Sequence, residues 1–318
     1  MQIASLTLAI GFTLQTAAAL SQSYPSKPVR FIVPSAPGGG TDIVTRALSQ
    51  KLSESMGQSF AVDNRAGAAN LIGVEITQHA PADGYTLLMS PSTITVLPFI
   101  QKVGYELLRD FAPITLAAAV PNILVVNPSV PARNMAELIA LAKREPGKLG
   151  FATAGAGSSP HMSVELLRSM TGIELLHVPY KGTAPAVVDV LSGQVQMMMA
   201  NVLTVGPHIK AGKLRALGVS SAKRSEAVPD VPPIGESVPG YEVIQWYGVF
   251  APAGTPADVV NRVSRESARA LRLQDVKARL ATDGAEPVGN TPEEFTAHLR
   301  GELAKWEKVA KAANIRAD

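Results

Sequence analysis

The segment with the clearest potential for binding chemistry is a glycine-rich loop between the first predicted strand and the first predicted helix. It consists of Ser35, Ala36, Pro37, Gly38, Gly39, Gly40, Thr41 and Asp42. Glycines leave the backbone N–H groups uncovered, and the following helix directs the positive end of its dipole at the same place. This combination favours a phosphate or a carboxylate, so we predict a ligand site here. The alternative is a tight strand-to-helix turn without a ligand.

Two nucleotide-binding motifs do not fit this loop. Gly38 and Gly40 match the start of the dinucleotide pattern G-x-G-x-x-G, but Ile43 stands where its third glycine belongs. No Gly-Lys-Ser/Thr follows, which excludes a P-loop. Asp42 opens the predicted helix, where a carboxylate is better suited to capping or bracing the loop than to general-base catalysis.

A second loop, 151–161, has similar physics. It also leads from a predicted strand into a predicted helix, which Ser158 or Ser159 would cap. We predict that the two loops face each other across a cleft and hold one carboxylate ligand. His161 could line that cleft or pack behind it. The candidate contacts in this loop are Thr153, Ala154, Gly155, Ser158, Ser159 and His161.

Three further residues are candidate ligand contacts. Tyr180 could form an aromatic wall or donate a hydrogen bond, and Lys181 could balance a carboxylate or be an ordinary solvated lysine. Ser90 ends a predicted strand, where its hydroxyl could reach the ligand or belong to a Ser-Pro turn.

The sequence offers little for catalysis or for metals. Without cysteine there can be no disulfide, thiolate zinc site or cysteine nucleophile. The five histidines lack metal-ligand spacing, and no G-x-S-x-G elbow is present. We therefore expect a protein that is not an enzyme and that needs no cofactor and no metal.

The elements that position these loops alternate between strand and helix, which predicts parallel α/β sheets. The alternation occurs twice, on either side of an apolar run at 123–127, and 243–250 is a second candidate crossover. We predict a discontinuous first lobe (24–122 and 248–318) and a second lobe (123–247). A strand is expected at Val195–Met199. Thr255-Pro256 and Thr291-Pro292 each predict an N-cap followed by proline.

Composition and charge exclude some classes of binding partner. A length of 318 residues suffices for two domains, and 29 basic against 26 acidic residues give a formal charge of only +3. No run of Lys or Arg is dense enough for nucleic acid or a membrane surface.

The first 23 residues have the composition of an export signal. Residues 3–20 carry no charge, and Ala17-Ala18-Ala19 offers an A-x-A cleavage pattern. We predict a cleaved signal peptide and a periplasmic protein, although no Lys or Arg precedes the apolar stretch. The alternative is a membrane anchor.

The sequence resembles the tripartite tricarboxylate transporter substrate-binding family, the Bug-type periplasmic receptors. The resemblance covers nearly the whole chain after residue 23. It rests on matching segments in the right order, at 24–28, 37–42, 64–68, 81–88, 155–161, 178–182, 207–217 and 251–256. The chain departs from the family pattern at Ala69-Asn70-Leu71, where a more glycine-rich stretch is expected and Leu71 favours a more apolar ligand.

This resemblance implies a type II periplasmic-binding-protein fold with two α/β lobes and a hinge of two crossovers. It implies a small carboxylate bound between the lobes, partly through ordered water, and gripped by the loops at 35–42 and 153–161. We expect a monomeric receptor that delivers its ligand to the membrane subunits of a tripartite tricarboxylate-type transporter. Two alternatives remain open at this point: a sensing receptor for a signalling kinase, and an α/β enzyme acting on an anionic substrate.

Overall fold

The computed structural model describes residues 24–153, 155, 157–180, 183–282, 284–313 and 315. The predicted signal peptide lies outside the described residues. Within them, no helix is both long and apolar enough to cross a membrane.

One long mixed sheet runs through the molecule, in the order β2-β1-β3-β9-β4-β7-β5-β6, with β8 and β10 both paired to β4. At one end, β1 is parallel to β2 and β3; at the other, β5 is parallel to β6 and β7. The strands are β1 (Val29–Val33), β2 (Phe60–Asn64), β3 (Thr86–Pro91), β4 (Phe111–Val126), β5 (Gly150–Thr153), β6 (Leu176–Pro179), β7 (Met197–Asn201), β8 (Arg215–Val219), β9 (Ile244–Pro252) and β10 (Glu286–Pro287).

Strands β4 and β9 connect the two ends of the sheet. The 16-residue β4 pairs with β9 from Phe111 to Pro121 and then with β7 from Asn122 to Val126. The predicted crossovers at 123–127 and 243–250 fall largely on these two strands. The chain therefore passes between the two halves of the sheet as extended strand, with ladder partners for Asn122–Val126 on β7 and for Ile244–Pro252 on β4. The exact division into lobes stays a prediction.

Helices cover both faces of the sheet, as α/β architecture requires. They are α1 (Gly40–Met56), α2 (Leu71–Gln78), α3 (Leu97–Ile100), α4 (Leu107–Asp110), α5 (Met135–Arg144), α6 (Ser159–Thr171), α7 (Thr183–Ser192), α8 (Val202–Lys210), α9 (Ala257–Leu271), α10 (Gln274–Thr282) and α11 (Pro292–Ala313). Short 3₁₀ turns lie at Ala68–Asn70, Ser92–Thr95 and Ile234–Glu236.

The last helix, α11, packs on the cores of both halves. Phe295 and Leu299 are buried against β9 and the first half of the sheet. Trp306 and Val309 are buried in the core that surrounds α5 and α6. Glu302, between these pairs, accepts a hydrogen bond from the indole of Trp306 at 2.9 Å. Helix α11 is therefore a third link between the two halves of the sheet, in addition to β4 and β9.

Of the two predicted Thr-Pro helix starts, one is confirmed and one is wrong. Thr291 accepts a hydrogen bond from the backbone N–H of Glu294 at 3.2 Å, and the Glu294 carboxylate accepts one from the N–H of Thr291 at 2.9 Å. This reciprocal pair is a capping box. Thr255 does not cap α9, because its hydroxyl donates to the carbonyl of Pro252 at 2.8 Å and Pro256 is the N-cap.

Replacing the capping threonine should destabilise α11 and with it the packing that joins both halves. We expect Thr291→Ala to lower the free energy of unfolding by about 1 kcal/mol. Urea unfolding followed by the fluorescence of Trp246 and Trp306 measures the change. Thr291→Ser, which keeps the accepting oxygen, should unfold at the same urea concentration as the parent. An unchanged midpoint for Thr291→Ala would show that the capping box contributes nothing.

Candidate functional site

A cavity of about 490 Å³ lies beside β4 and β9, where the two halves of the sheet join. Both glycine-rich loops contribute to its wall, together with β4, β9 and the starts of α7 and α8. Its lining residues are Ser35, 38–41, Ile43, Val44, Asn70, 91–93, Val120, Asn122, 158–160, Thr183, Ala200, Asn201, Thr204, Gln245, Tyr247 and Ala285. The predicted meeting of the two loops at one cleft is therefore present in the structure.

Asp42 braces the first loop from behind. Its carboxylate accepts hydrogen bonds from the Gly38 N–H at 2.9 Å, from Arg46 Nε at 2.8 Å and from Asn64 Nδ2 at 3.0 Å. Burial raises the pKa of this carboxyl, but the hydrogen bonds outweigh that effect and hold the pKa below its ordinary value. Asp42 is thus ionised and fully engaged at neutral pH, and it is a loop brace rather than a base.

The side chain of Tyr247, from β9, explains one of the three glycines. A Cβ on Gly40 would overlap the Tyr247 hydroxyl, whereas a Cβ on Gly39 would meet only the Ala36 carbonyl oxygen at 3.7 Å. Tyr247 is almost completely buried, and Gln245 Nε2 donates to its hydroxyl at 2.9 Å. Gly40 therefore allows the tyrosine to press against the start of α1.

In the second loop, the two serines have different roles. Ser158 is the N-cap of α6: its Oγ accepts from the His161 N–H at 3.4 Å and donates to the Gly155 carbonyl at 2.8 Å. Ser159, the first residue of the helix, lines the cavity, and its Oγ accepts a hydrogen bond from Asn122 Nδ2 at 3.0 Å.

His161 lies behind this loop. It is only 4% exposed, and its Nδ1 accepts a hydrogen bond from the Gly157 N–H at 3.0 Å. Its ring stacks on His177 at 4.1 Å between centroids, and Nε2 of His177 is 2.7 Å from Thr153 Oγ1. Burial, followed by the nearby His161, lowers the pKa of His177 to about 4, so that ring is neutral at pH 7. Thr153 and His161 therefore support the loop from within the core.

Of the remaining predicted contacts, those that the structure describes do not line the cavity. Ser90 is fully buried in β3 and donates to the Pro91 carbonyl at 3.2 Å. The Tyr180 hydroxyl donates to Asp189 at 2.6 Å. Ala36 and Pro37 are exposed beside the first loop. Ala154 and Lys181 lie outside the described residues, and ligand contact by any of the predicted residues stays a prediction.

Several lining residues escaped the sequence-based prediction. Asn122 and Asn201 sit opposite each other in the β4–β7 ladder, and each carries an amide at the boundary of an apolar strand run. That interruption of an apolar pattern was the available signal. For Gln245 and Tyr247 on β9 we find no comparable signal, because only the folded chain brings them to the cavity. Asn70 lies in the stretch 69–71, where the sequence departs from the family pattern.

The described part of the cavity wall mixes apolar side chains with hydroxyl and amide groups and carries no charged side chain. Among its described residues there is no Asp, Glu, Lys, Arg or His side chain. Helices α1, α6 and α8 start at the wall and direct the positive ends of their dipoles there. In α6, Pro160 has no N–H and the His161 N–H is taken by Ser158 Oγ. Of the first three residues of that helix, only Ser159 therefore keeps an N–H without a cap. Asn201 caps α8 by accepting from the Thr204 N–H at 3.1 Å. No group of three or more His, Asp or Glu suited to a metal occurs in the described part of the chain.

Substitutions of two neighbouring glycines test the contact between Gly40 and Tyr247. We expect Gly40→Ala to destabilise the fold by about 1–3 kcal/mol, because the new methyl group forces the buried Tyr247 to move. Gly39→Ala is the matched control and should leave the unfolding midpoint unchanged, since nothing crowds its Cβ. Thermal and urea unfolding measure both, and equal midpoints for the two variants would contradict the assigned contact.

Sequence comparison with known proteins identifies the family to which this chain is related. The sequence profile of the tripartite tricarboxylate transporter family receptor matches residues 44–315. The protein BugT of Bordetella pertussis is 36% identical over 99% of this chain and 99% of its own.

Two solved structures match over most of their length. The R. palustris protein Rpa4515, with adipate, is 38% identical, covers 92% of this chain and 99% of its own, and superimposes with a TM-score of 0.79. MatC from Rhodopseudomonas palustris, with bound malate, is 30% identical, covers 90% and 99%, and has a TM-score of 0.74. These likenesses confirm the predicted fold class, a type II periplasmic-binding-protein-like α/β fold. The chain thus belongs to the tripartite tricarboxylate transporter receptor family and is one of its Bug-type solute-binding proteins.

Proposed function

We propose that this receptor captures a small carboxylate in the cavity between the two loops and delivers it to the membrane subunits of a tripartite transporter. The observation that carries the proposal is the convergence of three helix N-termini and several hydroxyl and amide groups on a wall whose described residues include no charged side chain. Relatives with adipate and with malate support a carboxylate as the ligand.

Simple magnitudes show what such a site requires. A helix N-terminus contributes about 0.3–1 kcal/mol to anion binding, and up to ~2 kcal/mol when partly buried. Three termini therefore fall short of the roughly 8 kcal/mol that corresponds to micromolar affinity. Direct and water-mediated hydrogen bonds and closure of the cavity would supply the remainder.

Export is part of the proposal. Residues 1–23 have the small, apolar composition of a signal peptide, with a cleavage pattern between Ala19 and Ser23. Cleavage there would remove the apolar segment and release the rest of the chain into the periplasm. Catalysis is not part of it, because Asp42 is engaged in three hydrogen bonds and His161 is buried behind its loop.

The proposal predicts selective stabilisation by carboxylates. We expect adipate, malate or another small carboxylate of a screened panel to raise the thermal unfolding midpoint. Saturation at 100 times Kd corresponds to about 2.7 kcal/mol. Adipamide, the uncharged analogue of adipate, is the matched control and should give a much smaller shift at the same concentration, because it binds more weakly. If no carboxylate of the panel shifts the midpoint, the carboxylate receptor is the wrong function.

Closure of two lobes should accompany binding. We propose that 24–122 with 248–318 forms one lobe, that 123–247 forms the other, and that β4 and β9 bend where they cross between them. Small-angle scattering with and without the ligand identified above should show a smaller radius of gyration at saturation. Adipamide at the same concentration should leave it unchanged. Equal radii with and without bound carboxylate would overturn the proposed closure.

A further inference from the structure

A serine hydroxyl in a binding site can donate or accept a hydrogen bond, so its neighbours decide which ligand group it recognises. Ser159 is half-buried at the start of α6 and lines the cavity. The residue behind it is Asn122, which is 0% exposed. Its backbone is fixed in the sheet, because its N–H donates to Ser220 Oγ at 2.8 Å and its carbonyl accepts from the Ser220 N–H at 2.8 Å.

The amide group of Asn122 contacts two serines of α6. Nδ2 is 3.0 Å from Ser159 Oγ and 3.3 Å from Ser163 Oγ. The Ser163 hydroxyl donates its one proton to the Ser159 carbonyl at 2.8 Å, so its oxygen can only accept from the amide. The nitrogen of Asn122 is therefore the atom placed toward the helix, while its Oδ1 is buried without a hydrogen-bond partner among the described residues.

This arrangement decides whether the Ser159 hydroxyl can donate a hydrogen bond into the cavity. Its oxygen accepts from Asn122, and its proton is given to no acceptor within the described part of the chain, so the O–H can point into the cavity. Ser158, one residue earlier, differs because its proton is already donated to the Gly155 carbonyl. Of the two adjacent serines, only Ser159 has a proton available for a ligand.

We propose that Asn122 is a positioning residue that turns the Ser159 hydroxyl into a dedicated donor, so that the second-loop side of the cavity selects an ionised carboxylate over a group that must itself donate. The inference deepens the proposed function and rests on it. Asn122 lies at the cavity floor but has no exposed surface, so it would act through Ser159 rather than by contacting the ligand itself.

A double-mutant cycle tests the proposal, with adipate as the probe, or malate if only malate binds the parent. Ser159→Ala should weaken binding about ten- to a hundredfold, because it removes a hydrogen bond to a charged group. Asn122→Ala should weaken it about three- to tenfold, because the Ser159 proton is no longer directed at the ligand. In the Ser159→Ala background, Asn122→Ala should have less than about a twofold effect.

Two further measurements separate positioning from a general structural role. The preference for adipate over adipamide, measured as a ratio of Kd values, should narrow in Asn122→Ala. Asn127→Ala is the matched control: it removes an asparagine that immediately follows the same strand and donates to the carbonyls of Val190 and Leu191 instead. It should leave adipate affinity unchanged even if it lowers stability. If Asn122→Ala is too unstable to titrate, Asn122→Leu keeps a similar volume without the donor.

The outcomes distinguish the inference from the proposed function. If Ser159→Ala weakens binding and the Asn122 variants do not, the receptor function stands and the positioning role is overturned. The same holds if the Asn122 variants weaken binding equally in both backgrounds, since that is additive structural damage. A parent that binds no carboxylate of the panel overturns the proposed function and this inference together.

Discussion

Strands β4 and β9 pair from Phe111–Pro252 to Pro121–Ile244, and this antiparallel ladder is the part of the sheet that both halves of the molecule share. Its position has two consequences for the cavity. Val120, Asn122, Gln245 and Tyr247 come to its floor directly from the two strands. The parallel strands on either side then place their following loops at opposite walls, so that two loops far apart in sequence meet at one ligand-sized space.

In the proposed function, recognition of the carboxylate depends on hydrogen-bond geometry, because the described wall residues include no charged side chain. A guanidinium or ammonium group would bind any anion strongly and would itself need solvation or a partner when the cavity is empty. Backbone N–H groups at helix starts and hydroxyls with fixed proton directions are aimed before the ligand arrives, so little reorganisation is needed on binding. The same property makes recognition depend on the enclosed groups that hold these donors in place.

Those enclosed groups form two separate supports. Asp42 ties the first loop to α1 and β2 through Gly38, Arg46 and Asn64. The stacked pair of His161 and His177 supports the second loop through Gly157 and Thr153. Neither support needs to contact a ligand, yet each fixes the conformation of a glycine-rich backbone that has few other constraints. Residues that looked like possible reactive groups are thus explained by loop geometry.

The sequence by itself determined the local structure, which depends on residues close together in the chain. The glycine-rich loops, the Asp42 brace, the Ser158 cap, the Thr291 capping box and the strand–helix alternation follow from chemistry acting over a few residues, which is why they were predictable. The family resemblance predicted the type II periplasmic-binding-protein fold, whereas the strand–helix alternation predicted only parallel α/β sheets. Even so, β7 was predicted at Val195–Met199 and lies at Met197–Asn201, because the Val195 N–H is held outside the sheet by the Asp189 carbonyl. That shift hid Asn201 from prediction.

Only the tertiary structure decided which polar groups share the cavity. Asn122 and Ser159 are 37 residues apart, and Gly40 meets Tyr247 from the far end of the chain. Similarly, Thr255 and Thr291 look alike in sequence, yet a nearby carbonyl takes the hydroxyl of the first and leaves the second to cap its helix. A hydroxyl or amide has several possible partners of nearly equal strength, so the choice among them depends on which atoms the folded chain brings within hydrogen-bond distance.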